Sequence, residues 1–279
     1  MLSLLTLTVR PDEKKPLMNK KKQERGDFSG ISQKFSKSIY DTTKGQLRVE
    51  VLKRDLAPLL ATEPCLVLDV GAGLGQVNQW FQEKDFTVVH SDLSTEMVEE
   101  AERRHKAAGL GHQCKYVSAS LTELANQQPL DQYDIILCHA VLEWLPDTEF
   151  AIHQLASLLK PGGKLSLMFY NYHAKLFANA IYGNFDYIER GLKVKKTVRL
   201  SPQNPAVPEH VDHWLEQEGL KVQQKTGVRC FHDYLRDLTH QQRFDELLAL
   251  EMKYNQISPY RELGRYQHWL IEKPNCQEE

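Results

Sequence analysis

The sequence predicts an α/β protein built on a mostly parallel sheet, and three observations predict it. Short apolar, β-branched runs alternate with helical patterns from Cys65 to Tyr170. The first of these runs stops at a glycine-rich turn, VLDVGAGLGQ, Val67 to Gln76. Two further strand-like runs come late, Leu220 to Phe231 and Leu263 to Glu272, on either side of a helix face marked by Phe244, Leu247, Leu248 and Met252. Helices between short strands imply right-handed crossovers and parallel neighbours. Five alternating strands and two late ones make a seven-stranded sheet with helices on both faces.

In order, the strands fall at Cys65–Val70, Thr87–Ser91, Gln113–Ser118, Tyr133–Cys138 and Lys164–Tyr170. A helix from Gln46 to about Leu60 precedes them, and Leu74–Lys84 forms the next one. Ser94 is a good N-cap for a helix through Lys106, with Glu96 near its positive end. Glu149–Leu159 reads as a helix with KPGG as its stop. Asn171 to Pro208 breaks the rhythm with aromatics and the basic run KVKKTVRLSP, and an insertion of that length usually carries function. Val211, Trp214 and Leu215 then mark a helix face.

These patterns divide the chain into a basic tail, residues 1–26, and one domain, residues 27–279. Within the domain, residues 27–60 read as an N-terminal lid, in which Ile31, Phe35 and Ile39 recur on one helix face, and residues 171–208 as a substrate-side insertion. The tail carries Lys14, Lys15, Lys20, Lys21, Lys22 and Arg25, and reads as a solvated segment or an RNA-contacting arm. Met18 offers a second possible start.

With 41% hydrophobic residues a proper core is within reach, and a net charge of −2 gives no global pull toward nucleic acid or membrane. Such contacts must use local patches. The five cysteines include no CxxC pair, which argues against a zinc site and favours a reducing, cytoplasmic setting. No apolar run approaches the ~20 residues of a membrane span, and MLSLLTLTV is too short and lacks the basic flank of a signal peptide.

The glycine turn points to a cofactor. In open α/β sheets, ligands bind beyond the carboxyl ends of the strands at the switch point, and Asp92, ending the second strand, can accept hydrogen bonds from both hydroxyls of a ribose. CHAVLEW, Cys138 to Trp144, leaves the fourth strand over the same crevice. A glycine turn with an acid fits a nicotinamide dinucleotide or S-adenosylmethionine. Gln76 stands where the dinucleotide fingerprint needs its last glycine, and no pyrophosphate site is evident, so the shorter motif favours S-adenosylmethionine.

The order VLDVGAGLGQ, SDLS with Met97, YDIILCHAVLEW and LKPGGKLSLMFYN resembles the class I S-adenosylmethionine-dependent methyltransferases, with their Rossmann-like fold. IYDTTKGQLR, HAVLEW, LSLMFYN, GNFDYI, KTGVRCFHDYLR and LGRYQH together resemble a narrower family, the CmoM (SmtA-type) tRNA 5-carboxymethoxyuridine methyltransferases, from about Asp27 to Lys273. That resemblance implies methyl esterification of the carboxylate on the wobble uridine, position 34, of tRNA. It implies that Arg48 meets the methionine carboxylate of the cofactor, that Gly71 and Ala72 offer backbone, that Asp92 holds the ribose, that Ala119 and Ser120 flank the adenine, and that His139 sits beside the methionine part. Ala72 departs from the family, where a glycine is expected. Each residue also has a plainer reading: a surface arginine, a helix acid, a cap of the next helix, a hydrogen-bonded core histidine. Asp69 reads as a support for the turn, accepting backbone N–H bonds.

A carboxylate acceptor of ordinary pKa, about 4, is ionised at neutral pH and needs no general base. The protein has only to hold one oxygen in line with the methyl–sulfur bond. An arginine on the distal oxygen meets that demand, and Arg199 and Arg229 are the candidates, with Lys196 and Tyr170 near them in pattern. Such chemistry needs no covalent adduct, so Cys138 reads as core. Unpaired bases stack on aromatics and phosphates meet basic side chains. Tyr172, Phe185 and Tyr187, with Lys193, Lys195 and Lys196, supply both types. The alternative acceptor is a small free carboxylic acid or quinone-like metabolite. An S-adenosylmethionine-binding regulatory or RNA-binding module without turnover is a third reading. No metal is expected, and oligomeric state is not legible.

Overall fold

The computed structural model describes residues 42–193 and 204–275. The tail, the Ile31–Phe35–Ile39 face, Lys195, Lys196 and Arg199 therefore lie outside the described residues.

Seven strands form one sheet: β1 (Leu66–Val70), β2 (Thr87–Asp92), β3 (Cys114–Ser118), β4 (Tyr133–His139), β5 (Leu159–Tyr170), β6 (Lys221–Val228) and β7 (Tyr266–Glu272). Their spatial order is β3-β2-β1-β4-β5-β7-β6. The first five are mutually parallel, and β7 runs antiparallel between β5 and β6. The order reverses at β1, where the chain leaves toward β2 and later returns to β4 on the other side. The crevice beyond the carboxyl ends of β1 and β4 is the ligand position of such a sheet.

Around the sheet lie helices α1 (Thr43–Leu60), α2 (Gln76–Gln82), α3 (Thr95–Ala107), α4 (Leu121–Gln127), α5 (Thr148–Leu158), α6 (Tyr172–Ile181), α7 (Phe185–Glu189), α8 (Pro208–Gln217) and α9 (Phe244–Tyr254). The period of two along β1 divides the core. Leu68 and Val70 join the cluster filled by α4, α5 and α8, whereas Val67 joins the cluster filled by α1, α2 and α9. Helix α1 buries Leu47, Val51, Leu52, Leu56 and Leu59 along one face, each contributing about 1.5–3 kcal/mol. That stripe fixes the helix rotationally, and with it Arg48 in the second turn.

Several boundaries differ from the sequence expectation. KPGG does not end the helix. Helix α5 stops at Leu158 and the strand runs straight on from Leu159, with the glycines inside it. Gly162 N–H donates to Lys273 O at 2.7 Å, and Lys273 Nζ donates to the carbonyls of Ala156 and Leu159 at 3.0 and 2.8 Å. A lysine from the far end of the chain thus caps the helix carbonyls that a glycine turn would otherwise satisfy. The second helix begins at Gln76, later than Leu74, because Gly75 (φ 73°) turns the chain as its N-cap. Strand β6 stops at Val228 because Arg229 takes a left-handed φ of 64°, after which the N–H groups of Cys230, Phe231 and His232 converge on the buried Glu251 carboxylate.

Candidate active site

The glycine turn is held from three sides. Ala72 N–H donates to Ser91 O at 2.9 Å, and Gly73 N–H donates to Asp92 Oδ2 at 2.9 Å. Asp92 Oδ1 accepts from Ser94 N–H, also at 2.9 Å, so this carboxylate ties the turn to the start of α3. Gly71 has φ 63°, and a methyl there would run into Val141 Cγ2 at 2.5 Å. Gly73 differs: its φ is 56°, but a Cβ would meet nothing within 4 Å. This side of the turn is open. Ala72, where the family pattern expects glycine, is not among the described residues with positive φ, so its methyl adds no backbone strain.

Beneath the turn lies a buried polar network that sequence reasoning missed. Asp69 accepts from Asn78 Nδ2 at 2.8 Å; the partner the structure shows is this side-chain amide, not the backbone N–H groups expected of it. Asn78 Nδ2 also reaches His90 Nδ1 at 3.1 Å, and Gln82 Nε2 bridges Asn78 Oδ1 and His105 Nδ1, each at 3.0 Å. His105 Nε2 lies 3.1 Å from Gly75 O, which must accept, so His105 carries its proton on Nε2 and receives Tyr116 OH (2.7 Å) on Nδ1. Burial pushes Asp69 up to about 7, against the Asn78 hydrogen bond and with help from the Asp92 charge. Burial also pulls His90 down to about 3, with His105 adding to the effect. No local pattern announces these partners, since helix residues such as Asn78, Gln82 and His105 look like a solvated face.

Ala119 N–H donates to Asp92 O at 3.1 Å, which brings the β3 exit beside the β2 exit. Ser120 caps α4 in a reciprocal capping box with Glu123, so its hydroxyl serves the helix. On the other side of the crevice, His139 ends β4 and Glu143 sits in the short 3-10 turn Leu142–Trp144. His139 Nδ1 is buried without a hydrogen-bond partner among the described residues, and so are both carboxylate oxygens of Glu143, a residue 1% exposed. Burial, then His268 and Arg48, hold His139 well below the ordinary histidine value, so the ring is neutral. Burial pushes Glu143 up to about 7, opposed by the backbone N–H groups of Glu143 and Tyr170 and then by Arg48. Arg48 is thus within electrostatic reach of both. Glu143 was not singled out from sequence; its place one turn past a strand end is the only hint, and helix pattern alone does not separate it from a surface acid.

Along the same edge, β5, β6 and β7 bring up a second group. The Arg229 guanidinium is paired with Asp233 (Nη2–Oδ2 3.0 Å) and lies 5.6 Å from the Tyr266 ring centroid, while its Nε is buried with no acceptor among the described residues. Arg265, also missed from sequence, lies 4.7 Å over the ring of Tyr170, with Nε 3.8 Å from Asp233. Burial pushes Tyr170 up to about 12, so its hydroxyl stays protonated. Lys175 lies 5.7 Å over Tyr187, and the neighbouring Phe177, Tyr182 and Phe185 are exposed. Tyr172 and Tyr187 are half-buried, and Lys193 is exposed. Cys138 is fully buried and its thiol pushed far up by burial, which suits core packing. No cluster able to hold a metal occurs among the described residues, and no described helix is long and apolar enough to cross a membrane.

The comparisons with known proteins match this architecture. The family described as a methyltransferase domain matches residues 68–167, from β1 through most of β5. The tRNA 5-carboxymethoxyuridine methyltransferase of Escherichia coli K12 is 42% identical over 259 residues, covering 90% of this chain and 98% of that protein. The chain belongs to the tRNA 5-carboxymethoxyuridine methyltransferase family. It is a methyltransferase. More distant relatives cover less. A ubiquinone biosynthesis O-methyltransferase of Xanthomonas euvesicatoria is 35% identical over 162 residues, 58% of this chain and 65% of that one. Among solved structures, the magnesium protoporphyrin IX methyltransferase of Synechocystis with bound SAH aligns over 90% of this chain and 97% of its own, with TM-score 0.59 and 18% identity, and shares the fold. The resemblance to the tRNA 5-carboxymethoxyuridine methyltransferase family thus extends well beyond the methyltransferase domain, into α1 with Arg48 and β6 with Arg229 just after it.

Proposed function

We propose that this protein transfers a methyl group from S-adenosylmethionine to the carboxylate of 5-carboxymethoxyuridine at position 34 of tRNA, forming the methyl ester. Arg48 near two buried acceptors, His139 Nδ1 and the Glu143 carboxylate, neither with a side-chain partner among the described residues, carries the cofactor half of this reading. One cation and two acceptors complement an amino-acid zwitterion: its carboxylate meets Arg48 and its ammonium meets the acceptors. S-adenosylmethionine carries such a group on a nucleoside. The open side of the turn at Gly73 would receive the backbone-facing part of the cofactor, Gly71 and Ala72 would frame it, Asp92 would hold the ribose, and Ala119 and Ser120 would flank the adenine. When bound, the cofactor supplies an electrophilic methyl on a sulfonium.

The acceptor half rests on the 42% identical relative, a tRNA 5-carboxymethoxyuridine methyltransferase. The chemistry asks little of the chain. The acceptor carboxylate is already ionised, so attack needs alignment and a dry site. Arg229 Nε, buried and without an acceptor among the described residues, would hold the distal oxygen, while Asp233 keeps the guanidinium oriented. Arg199, the other candidate clamp, lies outside the described residues. The exposed Phe185, with Tyr172, Tyr187 and Lys193, would meet an unstacked base and its phosphates. A quinone acceptor fits this edge poorly, because Arg229, Arg265 and Asp233 line it.

Radiolabelled methyl transfer to bulk tRNA from cells lacking the enzyme tests the reading. Label that is released by mild alkali is expected, as an ester requires. Label in no tRNA fraction, or alkali-stable label, would count against it.

A further inference from the structure

The hydrogen bonds behind His139 form one unbroken line into the core. His139 Nε2 lies 2.8 Å from Ser166 Oγ, Ser166 Oγ lies 2.8 Å from His268 Nε2, and His268 Nδ1 lies 2.8 Å from Asp55 Oδ2. Asp55 Oδ1 accepts from Arg54 Nη2 and Nε at 2.7 and 2.9 Å. The line crosses β4, β5, β7 and α1, and Ser166, His268 and Asp55 are all buried. Burial alone would raise Asp55, but the His268 hydrogen bond and the Arg54 charge hold it below the usual carboxylate range. It is therefore a carboxylate that can only accept, which places a proton on His268 Nδ1.

A hydroxyl has one proton to give, so only two arrangements close the line. In the first, Ser166 donates to a bare His268 Nε2 and accepts from His139 Nε2–H, leaving His139 Nδ1 as a lone pair. In the second, a doubly protonated His268 donates to Ser166, which donates to His139 Nε2, leaving His139 Nδ1 as an N–H. The surroundings choose between them. His268 and then Arg48 act on His139 as positive charges, so a second proton on His268 is disfavoured beside it, and on the Arg48 side a lone pair is favoured over an N–H. The second arrangement also adds a positive charge to a buried line that already contains Arg54.

We propose that Asp55, His268 and Ser166 are positioning residues that hold His139 in its Nε2–H tautomer, so that Nδ1 is a fixed acceptor for the ammonium group of the cofactor's amino-acid part. This rests on the reading of the cofactor as S-adenosylmethionine. The carboxylate of Asp55 then acts on the site through three hydrogen bonds, without touching a ligand.

Nitrogen-15 NMR of histidine-labelled protein without ligand reads the tautomer directly. Protonated Nε2 with bare Nδ1 is expected for His139, and a protonated Nδ1 overturns the proposal. Ser166→Ala breaks the line and should raise the Kd for S-adenosylmethionine about tenfold. The Kd for 5′-methylthioadenosine, which has the nucleoside but no amino-acid part, should stay within about twofold of the wild-type value. Ser166→Thr, which keeps the hydroxyl, should restore affinity. Equal losses for both ligands, or no loss for S-adenosylmethionine, overturn the relay. A wild-type chain with no affinity for S-adenosylmethionine overturns the cofactor reading instead, and the tautomer measurement still decides the relay.

Discussion

Gly73 and Gly75 share a left-handed backbone but not their surroundings, and replacing each by alanine should separate binding from folding. Both substitutions carry the left-handed penalty of an L-residue, roughly 1–2 kcal/mol. At Gly73 (φ 56°) the new methyl would meet nothing within 4 Å, so the stability cost ends there. At Gly75 (φ 73°) it would fall 2.5 Å from His105 Cε1 and 2.7 Å from Nε2. The imidazole has to move, and it is held by Gly75 O, Gln82 and Tyr116. Overpacking adds about 1–3 kcal/mol and a disturbed buried hydrogen bond about 1–3 kcal/mol more. Gly75→Ala should thus lose about 3–8 kcal/mol, or roughly 9–24 °C in Tm, against about 3–6 °C for Gly73→Ala. The order inverts for the cofactor. If the cofactor fills the open space beside Gly73, the methyl there should weaken S-adenosylmethionine about tenfold to a hundredfold, by the same overpacking cost. Thermal melts and isothermal titration of both variants provide the assay. Equal destabilisation of the two, or wild-type affinity in Gly73→Ala, would refute the account of the turn.

Other substitutions probe the remaining groups. Arg48→Ala should raise the Kd for S-adenosylmethionine about tenfold to a hundredfold, the worth of a charge-assisted contact, and leave 5′-methylthioadenosine binding in place; equal losses by titration would remove Arg48 from the amino-acid end. Arg229→Lys keeps a charge opposite Asp233 but deletes the buried Nε–H, so kcat/KM with tRNA should fall at least about tenfold in a fold that melts normally. Asp69, raised by burial to about 7, binds its proton more tightly in the folded chain, a contribution that is full below about pH 4 and lost as pH rises through 7. Denaturant titrations should therefore show Asp69→Asn gaining on the wild type by up to about 4 kcal/mol between these limits. His90, held at about 3, slopes the other way but is common to both chains, and a constant difference would mean that Asp69 is ionised throughout. Binding of tRNA should weaken steeply with salt in filter or fluorescence assays, and a flat response would argue for a small free substrate.

Much of this arrangement was legible in the sequence because it is local. Strand β1, the turn and Asp92 are contiguous or a short helix apart, and alternation alone implies the parallel sheet that places them at a switch point. What escaped is made of distant partners. Ser166 and His268 are one hundred and two residues apart, and nothing in LSLMFYN or LGRYQH says that a serine and a histidine will face each other on β5 and β7. Glu143 looks like any acid in a turn until the chain around Asn204 returns to cover it, with Asn204 N–H donating to Glu143 O at 3.2 Å. Lys273 replaces the expected KPGG stop for a similar reason: a cap can come from anywhere that the fold brings a cation.

The central claim is the product. Nucleosides from tRNA of cells lacking the enzyme, incubated with the protein and S-adenosylmethionine, can be read by mass spectrometry. The account predicts that 5-carboxymethoxyuridine is replaced by a nucleoside heavier by one methylene, and that mild alkali returns the starting nucleoside. Unchanged 5-carboxymethoxyuridine, or a methyl that survives alkali on base or ribose, would contradict it.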